Sequence, residues 1–216
     1  MDKEIIIAKT AEFVRKELKG AEGGHDWWHI ERVRKLALHI NGKEKADPFI
    51  VELGALLHDI ADSKFHEGDE SAGPAVARGF LETLNVGNTI IEIIENIITH
   101  ISFKGGGEQF FRSPELDIIQ DADRLDAIGA VGIARTFNYG GFKNREMYNP
   151  SIPPNLNMSR EEYKNSTAPS INHFYEKLLL LKDRMNTKTG RAMAEHRHNF
   201  LETFLGEFYR EWEGER

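Results

Sequence analysis

Apolar positions recur along most of the chain at the three- to four-residue spacing of amphipathic helices. Glycine and proline interrupt this spacing at several points, and they are the residues that punctuate helical patterns. No stretch shows the strict alternation of apolar and polar residues that is typical of a half-buried strand. The pattern therefore predicts an all-α fold, with helices expected near residues 2–18, 26–40, 47–59, 71–84, 89–101, 113–138, 170–184 and 187–213.

One long segment, residues 141–168, lacks a sustained period and contains three prolines. Loops of this length inside a compact domain are unusual and are often functional lids or insertions, although a plain surface loop is the alternative. We therefore predict a single structural domain with three parts. These are a helical core at 1–140, a lid or insertion at 141–168, and C-terminal helices at 169–216 packed on the core.

Composition and charge narrow the classes of function. The chain has 216 residues, a formal net charge of -7 and no cysteine, so any metal ion must be held by histidine and carboxylate ligands. The negative charge argues against double-stranded nucleic acid as a partner. Neither a signal peptide nor a membrane-spanning apolar run is evident, which predicts a cytoplasmic protein without a membrane partner. A homodimer is left open.

Four side chains that can bind a metal ion fall on segments predicted to be helical. His29 lies one turn before Val33 on an apolar stripe, and His58 and Asp59 end a largely apolar helix. Asp123 lies on a further helix. Imidazole nitrogens and carboxylate oxygens are ligands for divalent cations, and a shared ion removes the cost of burying them. Taken singly, each also has an ordinary interpretation as a hydrogen-bonded core histidine or a solvated acid.

The order and flanks of these residues resemble the HD-domain superfamily of metal-dependent phosphohydrolases. The chain is further similar to a small bacterial subfamily of HD hydrolases that act on nucleotides. The likeness covers nearly the whole chain and is carried by the segments GHDWWHIERV at 24–33, QDADRLDA at 120–127, DAIGAVGIARTF at 126–137, YGG at 139–141 and HFYEKL at 173–178. It implies an HD-domain helical bundle with a C-terminal helical extension.

The resemblance also implies one divalent metal ion held by four ligands, which are His29, His58, Asp59 and Asp123. Mn²⁺ or Mg²⁺ is expected, with Fe²⁺, Co²⁺ and Ni²⁺ as alternatives. The family's Ala-Asp-Arg-Leu run matches residues 122–125 and so selects Asp123. Asp126 is three residues further on and is expected near the same face, whereas Asp121 points about 200° away around the helix.

Several further residues have roles implied by the resemblance or by their charge. Many family members carry a glutamate three residues after the metal-binding aspartate, and this chain has the shorter Asp62 there. We expect Asp62 to act on the attacking water and the two cations Arg32 and Lys64 to take part in catalysis at the phosphate. The substrate-binding residues are predicted to be Arg32, Lys64, His100, Trp27 and Tyr139.

The expected substrate is a small nucleotide or phosphate ester. Within the subfamily, the resemblance favours release of pyrophosphate from nucleoside triphosphates, with 5′-nucleotide phosphomonoesterase activity as the alternative. Another HD phosphodiesterase is a further alternative. A dinuclear HD enzyme, either an oxygenase or a cyclic-dinucleotide phosphodiesterase, needs additional histidine ligands. Only His66 and His100 lie between the His-Asp pair and Asp123, which argues against a second metal ion. A third hypothesis is a non-catalytic nucleotide-binding module on the same scaffold.

Overall fold

The computed structural model describes residues 2–20, 26–60, 72–101 and 111–215, and these ranges contain helices but no strand. The prediction of an all-α fold is confirmed. None of the described helices combines the length and the apolarity needed to cross a bilayer. The helices are α1 (Lys3–Glu17), α2 (Trp27–Glu44), α3 (Pro48–Leu57), α4 (Ala72–Thr83), α5 (Asn88–His100), α6 (Pro114–Asp126), α7 (Gly129–Phe142), α8 (Arg160–Asn165), α9 (Asn172–Glu176) and α10 (Lys188–Trp212).

The chain forms two compact units, Met1–Ala122 and Asp123–Arg216, which we call the first and the second unit. The boundary falls inside α6. The boundaries at residues 140 and 168 that we predicted from the sequence both fall inside the second unit. The division into a core, a lid and packed C-terminal helices stays a prediction.

Helix α3 is the most buried helix of the first unit and packs against α1, α2 and α5. Asp47 caps its first turn by accepting the backbone N–H of Phe49 at 2.8 Å, and Pro48 occupies the first helical position. Its apolar residues surround the helix on all sides, which is typical of a helix enclosed by others. The packing is close, since a Cβ atom on Gly54 would lie 2.7 Å from the Ile119 side chain.

The prediction of one long helix over residues 113–138 is wrong, because α6 ends at Asp126 and a new helix, α7, begins at Gly129. Gly129 begins α7 with a φ of +76°, a conformation that glycine adopts without strain. Two arginine side chains satisfy carbonyl groups at the C-terminal end of α6. Arg135 donates to the Asp126 carbonyl at 3.2 Å, and Arg197 donates to the Leu125 carbonyl. Carbonyls at a helix end need such partners.

The helix predicted over residues 170–184 is also wrong in its length. Helix α9 ends at Glu176, and the 3₁₀ turns Leu178–Leu180 and Lys182–Arg184 follow it. Lys177, with φ of -143° and ψ of -56°, leaves the helical conformation at the junction. The tighter turns still bury Leu178, so the apolar spacing that predicted a helix is satisfied by a different backbone path.

The segment predicted to be irregular contains local order. Ser159 and Glu162 form a capping box at the start of α8, with Glu162 accepting the Ser159 backbone N–H at 2.7 Å. The backbone N–H of Ser170 donates to the Glu146 carbonyl at 2.9 Å. A role for residues 141–168 as a lid stays a prediction.

The start of α7 generates a stability prediction. A Cβ atom on Gly132 would lie 2.2 Å from the Ala127 carbonyl oxygen, whereas Gly141 in the same helix has open space around it. We expect Gly132→Ala to lower the free energy of unfolding by about 1–3 kcal/mol, because the backbone must move to make room for the added methyl group. Gly141→Ala should change it by less than about 1 kcal/mol. Urea denaturation measures both free energies of unfolding. An equal change in the two variants would contradict the conclusion that the backbone at Gly132 leaves no room for a side chain.

Candidate metal centre

His29 lies in the first turn of α2, and the helix cap fixes its position. The Asp26 side chain accepts the His29 backbone N–H at 2.9 Å. This bond places the helix start at the residue predicted from the sequence. The His29 side chain faces inward with Ile30 and Val33, and the residue is only 2% exposed. An ionisable side chain buried this fully needs a polar partner.

His58 follows α3 directly and is also buried, at 4% exposure. Its Nδ1 atom lies 2.8 Å from the carbonyl oxygen of Ala55. Because a carbonyl can only accept, His58 Nδ1 carries the proton and donates this bond. In the tautomer with its hydrogen on Nδ1, the Nε2 atom of His58 presents a lone pair. A backbone carbonyl that orients a histidine in this way is a common feature of metal sites.

The two imidazoles meet through the Nε2 atoms of His29 and His58, which are 3.3 Å apart. Together with Asp59 they form a group whose ligand atoms all lie within 4.8 Å of one another. Two nitrogens bound to one ion at about 2.1 Å each can be separated by up to about 4.2 Å. The observed separation therefore fits a shared divalent cation, and the donor set of nitrogen and carboxylate oxygen suits it.

Three aspartates lie in the C-terminal half of α6. Asp121 belongs to the first unit, and Asp123 and Asp126 belong to the second. Asp121 and Asp126 are buried, whereas Asp123 is partly exposed. Asp126 forms an ion pair with Arg135 at 2.5 Å. The role of Asp123 as the fourth metal ligand stays a prediction that rests on the family motif.

The predicted catalytic and substrate-binding residues lie on different elements. Arg32 is one turn beyond His29 on α2 and is partly exposed. His100 ends α5, with its Nδ1 atom 2.8 Å from the Asn96 carbonyl. Two further residues with predicted roles, Asp62 and Lys64, lie outside the described residues.

Two of the predicted substrate-binding aromatics already have cationic neighbours. The Arg15 guanidinium lies 5.9 Å from the centre of the Trp27 ring. Tyr139, in the second unit, has Lys143 and Arg145 at 5.6 and 5.5 Å from its ring centre. Such contacts are cation–π geometry, and they do not test whether either ring binds substrate.

Two interactions that support the centre were missed by the sequence analysis. Arg34 of α2 donates to Glu52 of α3 at 2.6 and 2.9 Å and so joins the helices that carry the two histidines. Burial lowers the pKa of Arg34, but hydrogen bonds and charge from Glu52 and Glu31 outweigh that effect and raise it. A single sequence shows no spacing pattern from which an ion pair between two different helices could be predicted.

The second missed interaction fixes the end of α5. The buried Gln120 side chain donates to the His100 carbonyl at 2.7 Å, so α6 satisfies a backbone acceptor at the C-terminus of a neighbouring helix. The only signal in the sequence was a polar residue inside an apolar helical face. That signal does not identify the partner.

Known proteins share both the sequence pattern and the fold. The family model described as the HD domain matches residues 27–128. The Bacillus subtilis protein YpgQ is 40% identical over 198 residues, which cover 89% of this chain and 87% of that protein. These matches include the segment that carries His29, His58 and Asp59.

Solved structures extend the likeness to nearly the whole chain. An HD-superfamily hydrolase from Bacillus thuringiensis has 43% identity and a TM-score of 0.78, covering 98% of this chain and 99% of the other. The crystal structure of Bacillus subtilis YpgQ in complex with ADP has 35% identity and a TM-score of 0.75, covering 95% of this chain and 97% of that one.

The geometry predicts which histidines hold metal. We expect His29→Ala or His58→Ala to weaken Mn²⁺ binding by about 100-fold or more, because each removes a ligand nitrogen from the group. His39→Ala is the matched control, since His39 lies on α2 with an exposed side chain. Metal affinity measured by calorimetry, with circular dichroism to confirm folding, checks this. Wild-type affinity in both buried variants would place the metal elsewhere.

Proposed function

Because this chain belongs to the HD-domain superfamily of metal-dependent phosphohydrolases, we propose that it hydrolyses nucleotides and releases pyrophosphate from nucleoside triphosphates. The observation that carries the proposal is the convergence of the buried His29 and His58 with the partly exposed Asp59. Two imidazoles buried against each other beside a carboxylate are costly unless they share a cation.

When bound, a divalent ion lowers the pKa of a coordinated water and polarises a phosphoryl oxygen. The chain contributes the orientation of its ligands. The Ala55 carbonyl holds His58 with Nε2 directed at His29, and the cap at Asp26 fixes the start of the helix that carries His29. The Asp59 carboxylate offsets part of the charge of the cation. Mn²⁺ or Mg²⁺ is the proposed ion.

The remaining roles are proposed from the family motif and from charge. Asp123 supplies the fourth ligand, and Asp62 accepts a proton from the attacking water. Arg32 and Lys64 neutralise the non-bridging oxygens of the phosphate during transfer. Arg32 is one helical turn from His29, which is close enough along α2 for both to face the same ligand.

The nucleotide class is supported by the structure of the similar protein YpgQ, which was determined in complex with ADP. ADP contains a base, a ribose and two phosphates, so it supports recognition of a nucleotide and not of a simple phosphate ester. It does not select the bond that is cleaved. Pyrophosphate release comes from the subfamily resemblance, and the cytoplasmic location likewise stays a prediction.

Identification of the products tests the proposed reaction. We expect nucleoside triphosphates, supplied with Mn²⁺ or Mg²⁺, to yield a nucleoside monophosphate and pyrophosphate, and a chelator to abolish turnover. Ion chromatography separates pyrophosphate from orthophosphate. Release of orthophosphate from 5′-nucleoside monophosphates would contradict this proposal and would indicate the alternative activity, that of a 5′-nucleotide phosphomonoesterase. Binding without turnover for every divalent ion would indicate the non-catalytic module.

Two aspartate variants separate a metal ligand from a proton acceptor. Asp62→Asn should keep the metal and lower kcat by about 10²–10⁴-fold, because a positioned base is lost. Asp123→Asn should lose metal and activity together. Asp183→Asn, an exposed aspartate of the second unit, is the matched control. Metal content by atomic emission and initial rates distinguish the cases, and an Asp62→Asn enzyme with wild-type kcat would remove Asp62 from the mechanism.

A further inference from the structure

The two histidines of the metal centre lie at one end of a helical hairpin in the first unit. Helix α2 ends at Glu44 and α3 begins at Pro48, so three residues connect them, and the two helices pack against each other. His29 stands in the first turn of α2, whereas His58 directly follows α3. The histidines therefore meet at the open end of the hairpin, opposite the connection.

Polar contacts at three levels of the hairpin show how the helices are aligned. Near the connection, the Asn41 side chain accepts the Ala46 backbone N–H at 2.8 Å and donates to the Ala46 carbonyl at 3.3 Å. Further along, Arg34 of α2 is bonded to Glu52 of α3, and the histidine contact lies at the open end. From one level to the next, residue numbers fall along α2 and rise along α3. The two helices are therefore antiparallel, and all three contacts belong to one register.

The middle contact of the hairpin holds a guanidinium from two sides. Two nitrogen atoms of Arg34 donate to one carboxylate oxygen of Glu52, at 2.9 and 2.6 Å. Glu31, one turn earlier on α2, accepts from a third nitrogen of Arg34 at 3.3 Å. These side chains are partly buried, with exposures of 20 to 27%. Because the guanidinium is planar and restrained by its own helix, its bond to Glu52 has a defined direction.

Apolar packing defines the position of α2 along α3 less sharply than this ion pair does. The hydrophobic effect depends on buried area and has no direction. The close approach at Gly54 restrains α3 against Ile97 and Ile119, which belong to α5 and α6 and not to α2. A slide of about 1.5 Å, the rise of one residue, would pull the Arg34 guanidinium off the Glu52 oxygen. Metal ligands tolerate displacements of only about 0.2 Å, so the register of these helices matters to the centre.

We propose that Arg34 is a positioning residue of the metal centre. Its bond to Glu52 sets the register of α2 against α3 and so keeps the two histidine nitrogens at a separation that one cation can bridge. Arg34 lies five residues after His29, about 7.5 Å along the helix axis, and it acts through the helix without being a ligand. The inference rests on the metal centre of the proposed function, but not on the nucleotide or on the bond that is cleaved.

A second ion pair of the first unit provides a matched control. Arg78 of α4 donates to Glu95 of α5 at 2.7 and 2.5 Å, and its side-chain exposures of 33 and 24% are close to those of the Arg34 pair. It joins two helices that carry none of the three residues of the candidate metal centre. Loss of this pair should therefore destabilise the fold without moving the metal ligands.

Titration of the full-length protein with Mn²⁺ tests the proposal. We expect Arg34→Gln to weaken Mn²⁺ binding about tenfold, Arg34→Lys to weaken it less, and Arg78→Gln to retain the wild-type affinity. Calorimetry measures the affinities, and urea denaturation of the metal-free proteins measures the loss of stability separately. The visible spectrum of bound Co²⁺, which depends on ligand geometry, should change in Arg34→Gln but not in Arg78→Gln.

The outcomes separate this inference from the proposed function. Equal Mn²⁺ affinities in the two glutamine variants would overturn the role of Arg34 and leave the metal centre intact. A wild-type protein that binds neither Mn²⁺ nor Co²⁺ would overturn both. If the wild type binds Mn²⁺ more tightly than Arg34→Gln does but hydrolyses no nucleotide, the inference holds and the proposed reaction fails. If Arg34→Gln does not fold, Glu52→Gln breaks the same bond from the other helix and gives the same decision.

Discussion

The contact between the Nε2 atoms of His29 and His58 is the interaction on which the proposed chemistry depends. At 3.3 Å the two nitrogens need either a proton or a cation between them. His58 donates its Nδ1 hydrogen to the Ala55 carbonyl, which leaves its Nε2 atom to face His29. With Asp59 in the same group, a divalent ion satisfies both lone pairs and the carboxylate together, at a place where burial makes unsatisfied polar groups expensive.

Rigid packing around α3 makes that contact possible. A histidine at the end of a helix is well placed only if the helix itself cannot shift, and α3 is enclosed on several sides by apolar neighbours. Arg34 and Glu52 add a directional link between α2 and α3. The close approach at Gly54 shows how little space remains for sliding. Ligand geometry is therefore a consequence of core packing, not of the ligands alone.

The elements that could be predicted from the sequence are those whose signals are local. The caps at Asp26 and Asp47 mark the starts of α2 and α3 because a side chain bonds backbone within three residues. The end of α6 could not be predicted in this way, because its last carbonyl groups accept hydrogen bonds from side chains that are distant in sequence, including Arg197. Likewise the two histidines could be proposed as ligands from their helix positions, but their mutual orientation depends on packing between helices.

The proposed nucleotide substrate is an anion, so positive charge must be concentrated locally, because the overall field of this acidic protein repels phosphate. A dication held by His29, His58 and Asp59 would supply that charge in the first unit. The histidines would contribute lone pairs to the ion, and the Ala55 carbonyl secures the one on His58 Nε2 by accepting the Nδ1 hydrogen. The local charge at the site therefore depends on the helix packing that brings these ligands together, and not on cationic side chains alone.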